Sequence, residues 1–148
     1  ASAQEGSLYR YQPRQGQKPT PSMTAEALLC RVYLGWTRDD PRLRKGMNWL
    51  REKHPPQETS DSLYYWYYGT QLFHHLGGEA WDQWNTEMRD LLVKIQEIRG
   101  TQAGSWSPDQ FKYGRQGGRI YTTALAVCIL EVYYRHLPLF KQLDIDGS

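Results

Sequence analysis

The sequence has 148 residues, of which 23% are charged and 39% are hydrophobic, and its formal net charge is +2. This length and composition fit a single globular domain and argue against an intrinsically disordered chain. Basic and acidic residues are interleaved, so the one-sided basic surface of a nucleic-acid-binding protein is not indicated. The 11 Tyr, 6 Trp and 3 Phe predict bulky packing side chains whose polar tips need partners.

The sequence contains no apolar run of the roughly 18 residues that a membrane span needs. The opening Ala-Ser-Ala-Gln resembles the end of a signal peptide, but no apolar region precedes it, so the sequence does not indicate a compartment. The two cysteines, Cys30 and Cys128, both lie in apolar stretches. We therefore expect two buried thiols, and a disulfide between them is compatible with the sequence but not implied.

Helix boundaries are predicted from proline, glycine and capping residues. After an irregular lead-in at 1–20, the predicted helices are 22–36, 41–53, 62–76, 80–98 and 119–136, the last one following a loop with five glycines at 100–118. Ser22 is the expected N-cap of the first helix, and Pro41, directly after Asp40, begins the second. Asp61 or Ser60 is expected to cap the third helix, which glycines at 77 and 78 end.

The chain also repeats itself. The matched pairs are Gly6 and Gly104, Leu8 and Trp106, Thr24 and Thr122, and Cys30 and Cys128, each separated by 98 residues. A third copy spans residues 64–70 and begins 40 residues after Thr24. The apolar positions of the second and fourth helices share one spacing, at Leu43, Met47 and Leu50 and at Met88, Leu92 and Ile95. The predicted unit is an inner helix, an outer helix and a glycine-rich return.

Hydrophobic patterning predicts how these helices pack. The first, third and fifth are apolar on most faces, as expected of helices covered all round, whereas the second and fourth are amphipathic. An inner row of buried helices and an outer row of half-exposed ones predict an all-α fold, an α/α toroid of about half a ring. We expect one partial domain over 1–148, with repeat helices at 22–54, 62–100 and 119–140 and a tail at 141–148.

The chain begins in the middle of a repeat, because Gly6-Ser7-Leu8 matches the return of a unit whose helices are missing. Half a ring would leave an apolar inner face uncovered. We therefore expect the chain to be the C-terminal portion of a longer polypeptide or to self-associate.

Several segments resemble a known group of proteins. Gln96 followed by Gly104-Ser105-Trp106 resembles the Q…G-x-W repeat of squalene–hopene cyclases and related prenyltransferase-type toroids. Residues 64–70, 77–85 and 130–138 look like the prenyltransferase/squalene-oxidase-repeat proteins of planctomycete-type bacteria, and the likeness covers residues 6–140. The resemblance implies a terpenoid cyclase-like toroid and an isoprenoid or other apolar ligand.

The catalytic signatures of those enzymes do not occur in the sequence. There is no Asp-x-Asp-Asp acid, and the Asp144-Ile-Asp146 run is interpreted as a solvated tail. The Cys-Gly-Glu-Gln run of thioester domains, which share the toroid architecture, is also missing. Protein prenyltransferases hold zinc with an Asp-x-Cys pair, but here Leu28 and Ala126 occupy the positions two residues before Cys30 and Cys128. The adjacent His74 and His75 point about 100° apart on a helix, which does not suit a shared metal. No metal or cofactor is predicted, and the balance favours a protein that is not an enzyme.

Two groups of residues are candidates for a site. Glu26 and Glu131 interrupt helices predicted to be buried and could act as acids, although Arg135, four residues after Glu131, makes an ion pair the simpler interpretation. The five aromatic residues Tyr64, Tyr65, Trp66, Tyr67 and Tyr68 could form the wall of a ligand site, or pack between helices.

We expect a non-catalytic module that binds a protein partner or an apolar ligand through an aromatic inner face. The alternative is the C-terminal half of a cyclase or prenyltransferase-type enzyme that acts on an isoprenoid, with its catalytic acids outside this segment. A third hypothesis is a purely structural repeat.

Overall fold

A computed structural model describes residues 2–13, 16–58 and 62–135 of the chain. Its elements, in chain order, are β1 (Ser2–Ala3), β2 (Leu8–Tyr9), α1 (Pro21–Tyr33), α2 (Pro41–Lys53), α3 (Leu63–Leu76), α4 (Gly78–Ile95), α5 (Gly114–Leu130) and α6 (Val132–Arg135). The two short strands pair antiparallel, with Ser2 opposite Tyr9. The prediction of an all-α fold is confirmed. None of the described helices has the length and apolarity needed to cross a membrane.

The helix starts follow the capping chemistry of the sequence, with one correction. At α2 the Asp40 carboxylate accepts a hydrogen bond from the Arg42 backbone N–H at 2.9 Å, and Pro41 occupies the first turn. At α1 the cap is Thr20, whose hydroxyl oxygen accepts from the Met23 N–H at 3.3 Å, so the prediction of Ser22 was wrong. Ser22 lies inside the first turn because Pro21 already has the helical φ.

At α3 the N-cap position belongs to Ser62, which makes no side-chain capping bond. The predicted caps Ser60 and Asp61 lie outside the described residues. Gly77, with a φ of 64°, ends the helix in a conformation that suits glycine.

The helix predicted at 119–136 is interrupted once, and a further helical turn precedes it. This turn begins at Gly114 and ends in a break at Gly118, whose φ is 73°. The interruption at Glu131 separates α5 from α6. The break at Gly118 occurs where glycine permits a left-handed backbone, whereas at Glu131 the backbone N–H still donates to the Val127 carbonyl at 2.9 Å.

The helices form two layers. The first layer consists of α1, α3 and α5, with α3 in the middle. The second layer consists of α2, which packs against α1, and α4, which packs against α3. The side of the first layer that α2 and α4 cover is called the covered face below, and the opposite side is called the open face. Among the described helices, α3 contacts α1, α4, α5 and α6, and it buries most of its residues.

The flanking helices are less buried than the sequence predicts. α1 buries Thr24, Ala25, Leu28, Leu29 and Val32, whereas Tyr33 is 53% exposed. On α5, Ile120 is 87% exposed. The prediction that all three helices are covered on every side was therefore wrong for α1 and α5, which each have a first-layer neighbour on one side, and α3 is mostly buried but leaves Tyr64 36% exposed. The cysteines are free thiols, and the expectation of burial was wrong for Cys30, which is exposed, and for Cys128, which is half-buried.

Aromatic side chains fill the space between α3 and α4. Trp84 stacks on Phe73, with ring centroids 4.4 Å apart, and its indole N–H donates to the Thr70 hydroxyl at 2.9 Å. Trp106, in the loop before α5, is 2% exposed and donates its indole N–H to the Leu92 carbonyl at 2.9 Å. Trp84 and Trp106 therefore each combine a large apolar contact with a satisfied donor.

The paired glycines of the sequence have similar local geometry. Gly6 has a φ of 90° and Gly104 a φ of 85°. Two residues after each glycine, Leu8 is 3% exposed and Trp106 is 2% exposed. A left-handed glycine thus directs the chain so that the following apolar side chain enters the core at both places.

The paired threonines also have similar surroundings. Both are fully buried; the Thr24 hydroxyl donates to the Tyr9 carbonyl at 3.4 Å, and the Thr122 hydroxyl to the Trp106 carbonyl at 2.7 Å. The segment matched as a third copy differs, because Tyr64, at the position of Thr24, is 36% exposed.

Candidate binding groove

A groove of about 1090 Å³ opens where α1, α3 and α5 begin. Its walls include the first turns of α1 and α3, the start of α5, the lead-in before α1, and His54 after α2. Because the amino termini of the three first-layer helices meet here, these helices enter the array from the same end. The five tyrosines of the lining are Tyr11, Tyr64, Tyr65, Tyr113 and Tyr121.

Local structure sets the position of each tyrosine. Tyr11 follows β2 and is 72% exposed. Tyr113 precedes α5 in a left-handed conformation, with a φ of 65°, and is 58% exposed. Tyr121 lies on α5 beyond the break at Gly118, and burial raises the pKa of its phenol. The Tyr121 phenol therefore remains protonated at neutral pH and can donate a hydrogen bond to a ligand.

The sequence analysis missed Tyr11, Tyr113 and Tyr121. They come from a lead-in, a loop and a helix that are far apart in the chain, and no spacing rule connects them. The only signal was the high tyrosine content.

The five-residue aromatic run at 64–68 is divided between two environments. Tyr65 and Trp66 are buried, at 0% and 1% exposed. The Tyr65 hydroxyl donates to the His54 carbonyl at 2.7 Å, and the Trp66 ring meets Phe111 edge to face at 5.8 Å. Trp66 is therefore a packing residue, while Tyr65 contributes to one wall of the groove from inside the core.

The other three members of the run lie on the open face of α3. Helical periodicity places Tyr64, Tyr67 and Tyr68 on the side away from Trp84. The rings of Tyr64 and Tyr68 are 4.7 Å apart, and those of Tyr67 and Tyr68 are 5.1 Å apart. Tyr67 and Tyr68 are half-buried, and only Tyr64 of these three lines the groove.

Glu26 lies beside this tyrosine cluster. It is half-buried on α1, one turn beyond the groove residues Ser22 and Met23, and it accepts a hydrogen bond from the Tyr64 hydroxyl at 3.3 Å. Burial, followed by the hydrogen bond and charge of Tyr68 and the charge of Glu26, raises the pKa of Tyr64 well above its ordinary value. The structure thus joins two of the predicted site residues.

Glu131 lies elsewhere. It is exposed, it follows the last residue of α5, and its carboxylate is 3.6 Å from the Arg135 guanidinium. The expectation that it interrupts a buried helix was wrong, because the helix ends before it. A surface ion pair of this kind contributes little to stability.

The adjacent histidines pack in the core. His75 Nε2 is 3.1 Å from the Tyr33 hydroxyl, and the His74 ring meets Trp81 edge to face at 4.8 Å. Burial of the phenol is the main cause that raises the pKa of Tyr33, and charge repulsion from Tyr67 and then from Cys30 adds to it. Among the residues that the structure describes, no group of three His, Cys, Asp or Glu side chains could hold a metal ion.

No family model, no curated protein and no solved structure matches the chain. The resemblance of residues 64–70, 77–85 and 130–138 to prenyltransferase/squalene-oxidase-repeat proteins therefore stays a prediction.

Proposed function

We propose that the chain is a segment of an α/α toroid that acts as a binding module rather than a catalyst. The architecture is supported by the two layers, in which α1, α3 and α5 lie in sequence order and α2 and α4 pack outside them. It is also supported by the similar geometry around Gly6 and Gly104. In a longer ring, further helices would cover the free sides of α1 and α5.

The proposed ligand is elongated and largely apolar, and it lies in the groove at the start of the first-layer helices. The observation that carries this proposal is the groove of about 1090 Å³ with five tyrosines in its lining. Its volume is close to the upper end of the roughly 300–1000 Å³ typical of small-molecule sites. Tyrosine suits such a site because its ring offers apolar contact with little entropy loss, and its hydroxyl fixes the orientation of a polar group.

A titration with Nile red, a neutral apolar dye, tests this proposal. We expect Tyr121→Ala and Tyr113→Ala each to weaken binding by about fivefold or more, since buried aromatic contacts are typical hot spots of binding. Tyr134→Ala is the matched control, because Tyr134 is 85% exposed and does not line the groove. Equal affinities for all of these variants and the unaltered protein would contradict the proposal.

The natural ligand can be sought by solvent extraction of the purified full-length protein followed by mass spectrometry. An apolar compound that is absent after Tyr121→Ala supports the binding module. If a partner protein is captured through the same groove instead, the natural ligand is a macromolecule rather than a small compound.

The alternative function is an isoprenoid-converting enzyme whose catalytic acids lie outside this segment. Its specific support is the half-buried carboxylate of Glu26 among aromatic rings. Turnover of an isoprenoid substrate by the full-length protein, abolished by Glu26→Gln, would establish it over the binding module.

A further inference from the structure

A half-buried carboxylate lies beside the tyrosine groove without a cationic partner. None of the ion pairs among the described residues includes Glu26. The hydrogen bond that it accepts comes from a neutral group, the Tyr64 hydroxyl, at 3.3 Å. A carboxylate that is partly removed from water favours a compensating positive charge, because burial without a partner costs free energy.

One aromatic side chain is hydrogen-bonded to this carboxylate, and a second ring packs against the first. The Tyr64 hydroxyl donates a hydrogen bond to Glu26, and the Tyr68 ring meets the Tyr64 ring edge to face with centroids 4.7 Å apart. Tyrosine rings attract cations through their negative faces, most strongly where water is partly excluded. A carboxylate beside neighbouring tyrosine rings is the combination that recognises alkylammonium groups.

We propose that Glu26, Tyr64 and Tyr68 form a binding site for an organic cation, with the Glu26 carboxylate as counter-ion and the tyrosine rings as walls. The inference rests on the proposed ligand groove and adds to it the class of head group: a ligand with an apolar body in the groove and an alkylammonium group at Glu26. The cation belongs either to a small quaternary amine or to the lysine side chain of a peptide.

The site is accessible in the structure. Tyr64 is 36% exposed and lines the groove, and Cys30, one turn after Glu26 on α1, is exposed. A ligand can therefore approach from the open face without separating α1 from α3.

The first experiment compares choline with 3,3-dimethylbutan-1-ol, its neutral isostere, by chemical-shift titration of the protein. We expect choline to bind at least about fivefold more tightly, because only choline carries the charge that the rings and the carboxylate attract. Equal binding of the two compounds, or no binding of choline, would overturn the proposal. N-acetyl-lysine amide forms the third arm: tighter binding than choline assigns the site to a lysine side chain, and weaker binding assigns it to a quaternary amine.

Variants locate the site. Glu26→Gln and Tyr64→Leu should each weaken choline binding by about fivefold to tenfold, whereas Tyr64→Phe, which keeps the ring, should stay within about threefold. Glu131→Gln is the matched control, since Glu131 is also on the first layer but pairs with Arg135. Unchanged choline affinity in folded Glu26→Gln would refute the assignment.

A second measurement does not depend on a bound ligand. In a Cys128→Ser background, cationic and anionic methanethiosulfonate reagents report the charge beside Cys30. We expect the ratio of cationic to anionic labelling rates to fall about threefold or more in Glu26→Gln, and an unchanged ratio would count against an attracting carboxylate at this position.

The two proposals can fail separately. If Nile red binds through Tyr121 but choline does not bind, the groove remains and the cation site is wrong. If neither binds, both proposals fall.

Discussion

The two faces of α3 place the same kind of side chain in opposite environments. On the covered face, Tyr65 and Trp66 are almost fully buried and meet α4 and the loop before α5. On the open face, Tyr64 is 36% exposed and its hydroxyl reaches Glu26. The helical period alone therefore divides five consecutive aromatic residues into two on the covered face and three on the open face. The comparison teaches that one aromatic run supplies core packing on the covered face and leaves partly exposed rings on the open face, where we propose that a ligand binds.

The largest stability effect is expected at Trp106, on the covered side. Trp106→Ala should lower the free energy of unfolding by about 3–5 kcal/mol, because it removes a buried indole and the hydrogen bond that its N–H donates to the Leu92 carbonyl. The melting temperature should fall by about 10 °C, which calorimetry would measure. An unchanged melting temperature would show that the indole is not buried.

A smaller but still large effect is expected at Trp66, and it tests the comparison directly. Trp66→Ala should cost about 3–4 kcal/mol through lost packing, since the residue is 1% exposed. Tyr67→Ala is its open-face counterpart and should cost less than about half as much, because Tyr67 is only half-buried. Urea denaturation measures both values, and equal costs would remove the distinction between the two faces.

A moderate loss of stability is expected from a substitution at Gly46, where α2 meets α1. Gly→Ala in a helix normally stabilises by about 1 kcal/mol. Here a Cβ would overlap the Ser7 carbonyl oxygen and lie 2.6 Å from Leu28 Cδ1, so Gly46→Ala should destabilise by about 1–3 kcal/mol. The exposed neighbour Lys45 provides the control Lys45→Ala, and a gain in stability for Gly46→Ala would show that α1 and α2 are packed less closely.

The smallest effect is expected on the open face. Tyr64→Phe removes a 3.3 Å hydrogen bond between two partly exposed groups, and the free energy of unfolding should change by less than about 0.5 kcal/mol. The same variant retains the ring in the groove. A loss above about 1 kcal/mol in urea denaturation would mean that the open face contributes to the core.

Some elements were predictable because local chemistry determines them. The bounds of α2 follow from Asp40 and Pro41 at its start and from the prolines after His54 at its end, and they agree with the structure. The end of α3 at Gly77 follows from the same kind of reasoning. The buried Trp106 was expected from its match with an apolar position 98 residues earlier.

Other features depend on neighbours that the sequence does not name. The exposure of Ile120 and Cys30 results from the free sides of α5 and α1, which an apolar pattern alone does not reveal. The helical turn at 114–117 was missed because a glycine inside a helix and a glycine before a helix look alike. For the site, the contact between Tyr64 and Glu26 joins two predicted residues, but no local pattern indicates which tyrosines of distant segments share a groove.

The position of α3 between α1, α4 and α5 also has a consequence for the motions of the molecule. Local opening of α3 must break its packing against α1, α4 and α5, whereas opening of α1 or α5 breaks packing against a first-layer neighbour on one side only. Amide hydrogen exchange should therefore be slowest along α3 and faster along the flanking helices. The groove, bordered by the starts of all three first-layer helices, would then have one rigid wall between two walls that open more readily.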